Sequence, residues 1–201
     1  MADGAVQRTI FEAPLLGSVL GVVARVLLKL AGWRVEGSLP PQARKSVLIA
    51  APHTSNWDFP YTLLAAFALR LNIRWMGKAS LFAAPFGPLM RWLGGIAVRR
   101  EQSNELVAAT VAALCVADGP LQLVVAPEGT RRMTRRWRTG FYYIALGAEL
   151  PILMTYLDYG GRRCGLGPAL LPSGDIERDM ATIKAFYAPM RGRNPRQFDA
   201  D

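Results

Sequence analysis

The sequence predicts a single α/β domain in which a mostly parallel or mixed central sheet is flanked by helices, with an amphipathic interfacial helix at its N-terminus. Three observations predict it. Short apolar runs alternate with helix-length segments between residues 46 and 187, the pattern that parallel strands covered on both faces impose. The chain has 201 residues, 51% of them hydrophobic and 19% charged, enough for one sizeable core and far from the composition of a multispan membrane protein. No repeat or low-complexity tract interrupts the alternation.

The first helix is expected from Leu15 to Gly32. Leu15, Leu16, Val19, Leu20, Val22, Val23, Val26, Leu27 and Leu30 cover most of its circumference, while Ser18, Gly21, Arg25, Lys29 and Gly32 share one narrow face. Two readings fit. The helix either lies in a bilayer interface with its cationic stripe toward anionic headgroups, or packs on the sheet as a core helix. A spanning helix needs about 20 largely uncharged residues, and Arg25 and Lys29 break the run. The basic start and cleavage site of a signal peptide are also missing.

Strands follow at Ser46–Ala51, Ile73–Gly77, Gly95–Val98, Leu121–Ala126 and Ile152–Tyr156, each a short apolar run. Helices are expected between them at Phe59–Leu71, Ser80–Leu93, Asn104–Ala117 and Phe141–Gly147. Gly161–Leu171 adds an antiparallel strand, and Asp175–Tyr187 a closing helix with an acidic start. From Arg191 to Asp201, Pro, Arg and Asn replace the apolar pattern, so this tail is assigned no structure. The expected division is residues 1–32 as a membrane-associating region, 33–190 as the catalytic domain and 191–201 as a tail.

The formal net charge of +9 is unevenly placed. Arg131, Arg132, Arg135, Arg136 and Arg138 crowd one loop, and Arg99 and Arg100 end another segment. Such clusters suit nucleic acid, an anionic membrane or a phosphorylated ligand. Nucleic acid is the weakest of these, because no recognition-helix, zinc-finger or RNP-type signature accompanies the loop. Cys115 and Cys164 stand far apart, which indicates neither a zinc knuckle nor a disulfide framework.

His53 is the only histidine, so a His-rich metal site is excluded and imidazole chemistry runs through one base. It stands in Pro52-His53-Thr54-Ser55-Asn56-Trp57-Asp58. An imidazole suits proton transfer near neutral pH, and works best when an acid holds its other nitrogen in one tautomer. Asp58 is the nearest acid. On a continuous helix, positions five apart are separated by roughly 140°, so the two can meet only across a turn. Asp58 also fits the N-cap of the following helix, with Pro60 in the first turn, and that role alone would explain it. His53, Lys78, Arg100 and Glu128-Gly129-Thr130-Arg131 all follow expected strand ends, where open α/β sheets bind ligands.

The run His53-Thr54-Ser55-Asn56-Trp57-Asp58 resembles the first motif of the glycerophospholipid acyltransferase family, typified by 1-acylglycerol-3-phosphate acyltransferases, in which four residues separate His from Asp. Three further blocks agree in order and spacing. Lys78-Ala79-Ser80-Leu81-Phe82, Phe86-Gly87-Pro88 and Gly94-Gly95-Ile96-Ala97-Val98-Arg99-Arg100 resemble the second block, whose final arginine falls on Arg100. Pro127-Glu128-Gly129-Thr130-Arg131 is similar to the third, and Leu150-Pro151-Ile152-Leu153-Met154 to the fourth.

The resemblance implies an O-acyltransferase of phospholipid biosynthesis, with His53 as general base and Asp58 orienting it. Lys78, Arg100, Glu128, Gly129, Thr130 and Arg131 would bind substrate, Arg131 gripping a phosphate in bidentate fashion. The acceptor would be a lysophospholipid, first among them 1-acylglycerol-3-phosphate. The donor would be acyl-CoA or acyl carrier protein, and no metal or other cofactor is implied. An anionic membrane surface, on the cytoplasmic face, would be the remaining partner. Departures bear on the acceptor: Pro52 replaces the asparagine often found before the histidine, Ala126 a phenylalanine, Arg132 a small residue, and Arg138-Thr139-Gly140 a Lys-x-Gly. Another lysolipid or a hydroxylated lipid is therefore the alternative acceptor, and a non-catalytic lipid-binding adaptor the alternative class.

Overall fold

Along Lys45–Ala51 (β2), Val47, Ile49 and Ala51 enter one apolar cluster while Leu48 enters another, so this continuous apolar run is buried on both sides as a central strand. The computed structural model describes residues 8–98 and 103–200. Around β2 it arranges Arg34–Glu36 (β1), Ile73–Lys78 (β3), Gly95–Val98 (β4), Leu121–Val125 (β5), Ile152–Asp158 (β6) and Arg163–Leu170 (β7). The sheet order is β1-β7-β6-β2-β5-β3-β4. From β6 to β4 all neighbours are parallel, β7 runs antiparallel to β6, and β1 runs parallel to β7. The expected mixed sheet of one α/β domain is the sheet observed. The three-residue β1 is an addition.

Helices cover both faces. Pro14–Leu30 (α1) packs on Asp58–Ala68 (α2), and α2 meets the sheet through the cluster of Ala66, Leu48, Ile73, Val124 and Leu153. On the opposite face Ser103–Val116 (α4), Gly140–Gly147 (α5) and Ile176–Tyr187 (α6) bury Leu114, Phe141, Ile144 and Ile183 against Val47, Ile49 and Ile152. Asp175 caps α6, its side chain accepting from the Arg178 amide. The helix expected over 80–93 is broken: a 3-10 turn at Ala79–Phe82 gives way to Gly87–Trp92 (α3). Pro85 lacks an amide proton and cannot continue a helix, whereas Pro88 is tolerated in the first turn of α3.

α1 packs on α2, as the core reading expected, and corrects one detail of the interfacial one. Gly21, Ala24 and Leu28 form its packing face, and a Cβ on Gly21 would lie 3.0 Å from the Phe67 carbonyl oxygen. Small residues there let the two helices approach closely. Arg25 does not simply face solvent, because its Nη2 donates to the Ala68 carbonyl at 2.6 Å and so ties α1 to the end of α2. Leu15, Val19, Val22, Val23, Val26 and Leu30 remain exposed on the side away from the packing face. Among the described residues no helix is long and apolar enough to cross a membrane.

Residues 191–200 of the tail, which was assigned no structure, lie against the domain together with the preceding Met190. Met190 and Ala200 are buried, and the ring of Phe198 meets that of Trp137 with centroids 6.4 Å apart. Cys115 is exposed and Cys164 buried, both as free thiols.

Candidate active site

β2 and β5 are parallel neighbours, so the segments that leave them emerge at one edge of the sheet. The chain leaving β2 turns into α2 on one face, while that leaving β5 runs through an irregular loop to α5 on the other. This divergence opens the crevice where α/β sheets bind ligands. His53 stands after β2, Glu128 after β5, and Tyr159 after β6 on the far side of β2.

The loop from Pro52 to Trp57 folds back so that His53 Nδ1 lies 3.2 Å from Asp58 Oδ2. Asp58 is not the N-cap that its sequence position suggested; Trp57 is, and Asp58 is the first helical residue. Its carboxylate points back into the loop instead. Oδ2 accepts from the amides of Thr54 and Ser55, both at 2.8 Å, and Oδ1 accepts from the Tyr159 hydroxyl at 2.9 Å. Burial alone would raise the Asp58 pKa, but the bonds from His53, the Ser55 amide and Tyr159 outweigh it and hold the group below the ordinary carboxylate range. The same contact pushes the Tyr159 phenol well up, through burial first and then the charge of Asp58. A neutral imidazole donating from Nδ1 to this carboxylate keeps the Nε2 lone pair free to take a proton.

Glu128, expected to contact substrate, is drawn toward the His53 loop. It is buried, at 5% exposure, and its Oε1 accepts from the His53 amide at 2.8 Å. Its Oε2 is buried without a hydrogen-bond partner among the described residues. Burial raises the Glu128 pKa, against the bonds from its own amide and from that of His53. One carboxylate oxygen thus holds the His53 backbone.

Gly129 has φ of +61°, and a Cβ there would lie 2.6 Å from Arg138 Nε, so glycine spares this turn both strain and a shift of Arg138. Thr130 is half-buried and its Oγ1 accepts from the Arg132 amide at 3.2 Å. Arg131 and Arg132 are exposed and make no salt bridge among the described residues. Both line an open depression of about 420 Å³ together with Thr54, Asn56, Trp57 and Asn194. Among the described residues no carboxylate lines it, which leaves a basic cup beside the loop that carries His53. On the other side of that loop a narrow, largely apolar cavity of about 40 Å³ runs from His53 between α2 and the sheet, past Thr62, Ala66, Val124 and Leu157.

Lys78 is exposed at the end of β3, and no described contact brings it to His53. Arg100 lies outside the described residues. Tyr159 was missed by the sequence reading, although it directly follows β6 and so stands at the same sheet edge as His53 and Glu128. Among the described residues no group of three or more His, Cys, Asp or Glu side chains could hold a metal ion.

A family model described as Acyltransferase matches residues 33–157, more than half of the chain. No curated protein matches the sequence. Among solved structures, the fold is similar to the crystal structure of the 1-acyl-sn-glycerophosphate (LPA) acyltransferase PlsC from Thermotoga maritima. The TM-score is 0.60 and the identity 17%, over 85% of this chain and 76% of that chain.

Proposed function

The chain belongs to the acyltransferase family, and from that membership we propose that it transfers a fatty acyl group from an acyl-CoA or acyl carrier protein thioester to the hydroxyl of a lysophospholipid, 1-acylglycerol-3-phosphate first among the candidates. The observation that carries this reading is the His53–Asp58 pair at 3.2 Å, set between a largely apolar cavity and a basic cup. The basic cup suits an acceptor with an anionic headgroup.

In this mechanism His53 Nε2 removes the proton of the acceptor hydroxyl as its oxygen attacks the thioester carbonyl. The tetrahedral intermediate then collapses, the carbon–sulfur bond breaks, and the departing thiolate takes the proton from His53. Asp58 stabilises the imidazolium in between, and Tyr159 with the Thr54 and Ser55 amides keeps that carboxylate ionised and fixed. A positioned base of this kind contributes about 10²- to 10⁴-fold, so holding the two substrates in place must supply much of the rest. Arg131 is the proposed grip on the acceptor phosphate.

The outward apolar side of α1 supports a seat on a bilayer surface, with Lys29 on its flank attracting anionic headgroups. The cytoplasmic face is the proposed side. Because Arg132 adds a second guanidinium to the cup, another lysolipid with an anionic headgroup is the second reading. The deciding experiment incubates the protein with acyl-CoA or acyl carrier protein and a panel of lysolipids, then identifies products by mass spectrometry. A product with 1-acylglycerol-3-phosphate supports the first reading, and a product only with another lysolipid supports the second. Absence of transfer to every acceptor from either donor overturns the proposal in favour of a lipid-binding adaptor.

A further inference from the structure

The polar composition of residues 190–200 conceals a segment anchored at both ends. Met190 is buried at one end and Ala200 at the other. Near the first anchor the Arg191 amide donates to Asp158 Oδ1 at 3.2 Å, and the Tyr159 amide donates to the Arg191 carbonyl at 2.8 Å. Between these anchors the chain crosses both blocks of the candidate site. The Asn194 amide donates to Thr54 Oγ1 at 3.2 Å, and Asn194 Nδ2 donates to the Thr54 carbonyl at 2.8 Å. Gln197 carries a two-proton amide nitrogen. With its nitrogen turned toward the carbonyls that surround it, Gln197 donates to Thr54 O at 2.8 Å and to Arg131 O at 2.8 Å, two bonds that replace the single longer one its oxygen would otherwise accept from Asn194 Nδ2 at 3.3 Å. Gly192 approaches so closely that a Cβ there would lie 2.6 Å from the Thr54 side chain, and the Arg193 guanidinium rests 5.2 Å from the Trp57 ring centre.

We infer that this segment is a clamp, and that Gln197 and Asn194 are positioning residues which set the distance between the base and the acceptor grip. Thr54 directly follows His53, so what holds the Thr54 backbone holds the base. The His53 loop has other supports, in Asp58 from α2 and Glu128 from the loop after β5. Arg131 has fewer. Among the described residues the bond from Gln197 is the hydrogen bond that fixes its backbone. One amide therefore joins the loop that carries the proton acceptor to the loop that carries the phosphate grip. An acceptor held by Arg131 presents its hydroxyl to His53 only if those loops keep their spacing. The kinetic part of this inference rests on Arg131 gripping the acceptor, whereas the tie between the loops does not.

The test compares Gln197→Leu, which removes both donors, with Gln197→Lys, which keeps N–H donors within reach. With 1-acylglycerol-3-phosphate and acyl-CoA, Gln197→Leu should lower kcat about tenfold or more, because a misplacement of about 1 Å costs up to about a hundredfold. The acceptor KM should rise while the donor KM stays within about twofold. Gln197→Lys should recover most of the loss. Hydrogen exchange on the same proteins supplies the second readout: amides of residues 54–57 and of residues 130–132 should both exchange faster in Gln197→Leu. Unchanged exchange in either loop overturns the clamp. If exchange rises in both loops but only the donor KM moves, the clamp stands and Arg131 is reading the donor. If Gln197→Leu does not fold, Gln197→Asn, one carbon shorter and able to reach at most one carbonyl, carries the same comparison.

Discussion

The Tyr159 hydroxyl donates to Asp58 Oδ1 at 2.9 Å, from a residue 101 positions further along the chain. With it, the carboxylate that faces His53 has hydrogen-bond donors on both oxygens, and its geometry is fixed independently of any substrate. Tyr159 is itself held by ring contacts with Trp33 and Tyr61. Tyr159→Phe keeps those contacts and removes one bond to a buried charge. We expect it to lower acyl transfer about three- to tenfold and to cost about 1 to 3 kcal/mol of stability, read by denaturant unfolding. Activity and stability equal to wild type would show that the bond does not contribute.

His53→Ala should lower turnover by about 10²- to 10⁴-fold while the protein stays folded, since the side chain is a quarter exposed and its loss opens no core cavity. Asp58→Asn should lose most activity as well, because an amide in that place can present its nitrogen to the imidazole and favour the wrong tautomer. Near wild-type turnover by purified, folded His53→Ala protein, measured in the transfer assay, would remove the general-base assignment.

Asp58 and Glu128 predict pH effects of opposite sign. The Asp58 pKa is lowered on folding, so its contribution to stability is present above the ordinary aspartate value and is lost as pH falls through the folded value. The Glu128 pKa is raised above its ordinary 4.5, so the folded state binds a proton that the unfolded state releases first. Stability therefore declines as pH rises from about 4.5 to the folded value of Glu128. Glu128→Gln removes that decline. Its melting temperature relative to wild type should shift upward between pH 4 and pH 7.5 in a calorimetric scan, and a constant difference would contradict the raised pKa. Glutamine keeps an oxygen for the His53 amide, so a purely supporting role predicts activity within about fivefold of wild type, since one neutral hydrogen bond is worth about 1 kcal/mol. A far larger loss would mean that the charge of Glu128 acts on substrate.

Arg131→Ala should raise the acceptor KM more than the donor KM, and Arg131→Lys should recover part of the effect, because a lysine supplies the charge without the planar fork. Steady-state kinetics with each substrate varied in turn decides this. A change confined to the donor would assign the cup to the phosphates of CoA or to the acidic surface of a carrier protein.

Membrane seating should depend on the outward side of α1. Val19→Ser, Val23→Ser and Val26→Ser together change exposed residues and leave Gly21, Ala24 and Leu28 on their packing face. This triple variant should lose flotation with anionic liposomes and keep its melting temperature. Arg25→Glu should behave differently, destabilising the fold through loss of the bond to Ala68. If the triple variant still floats, the arginine loop from Arg132 to Arg138 is the membrane contact.

The parallel core was legible because β2, β5 and β6 are buried on both faces, which leaves their sequences continuously apolar. Arg34–Glu36 was invisible for the opposite reason: a three-residue edge strand with two charged residues carries no period to read. The His53–Asp58 pairing was expected from the motif's resemblance, while the spacing alone required a turn between them and left a plain helix-capping role open. The role of Glu128 was not, because a carboxylate that accepts from a backbone amide leaves no mark on the residue type it serves. Residues 191–200 escaped for the same reason. Asn194 and Gln197 bond to backbone carbonyls and to Thr54, and a segment that pairs with backbone needs no apolar pattern.

The separation of 140 residues between Thr54 and Asn194 also sets an order of events during synthesis. At the usual rate of about 5 to 20 residues per second, the ribosome needs on the order of 10 to 30 seconds to make that intervening stretch. Until then the nascent chain carries His53 and Asp58 without Asn194 and Gln197, and Glu128 and Tyr159 join only part-way through that stretch. The loop that carries His53 is therefore completed by contacts from residues made well after it.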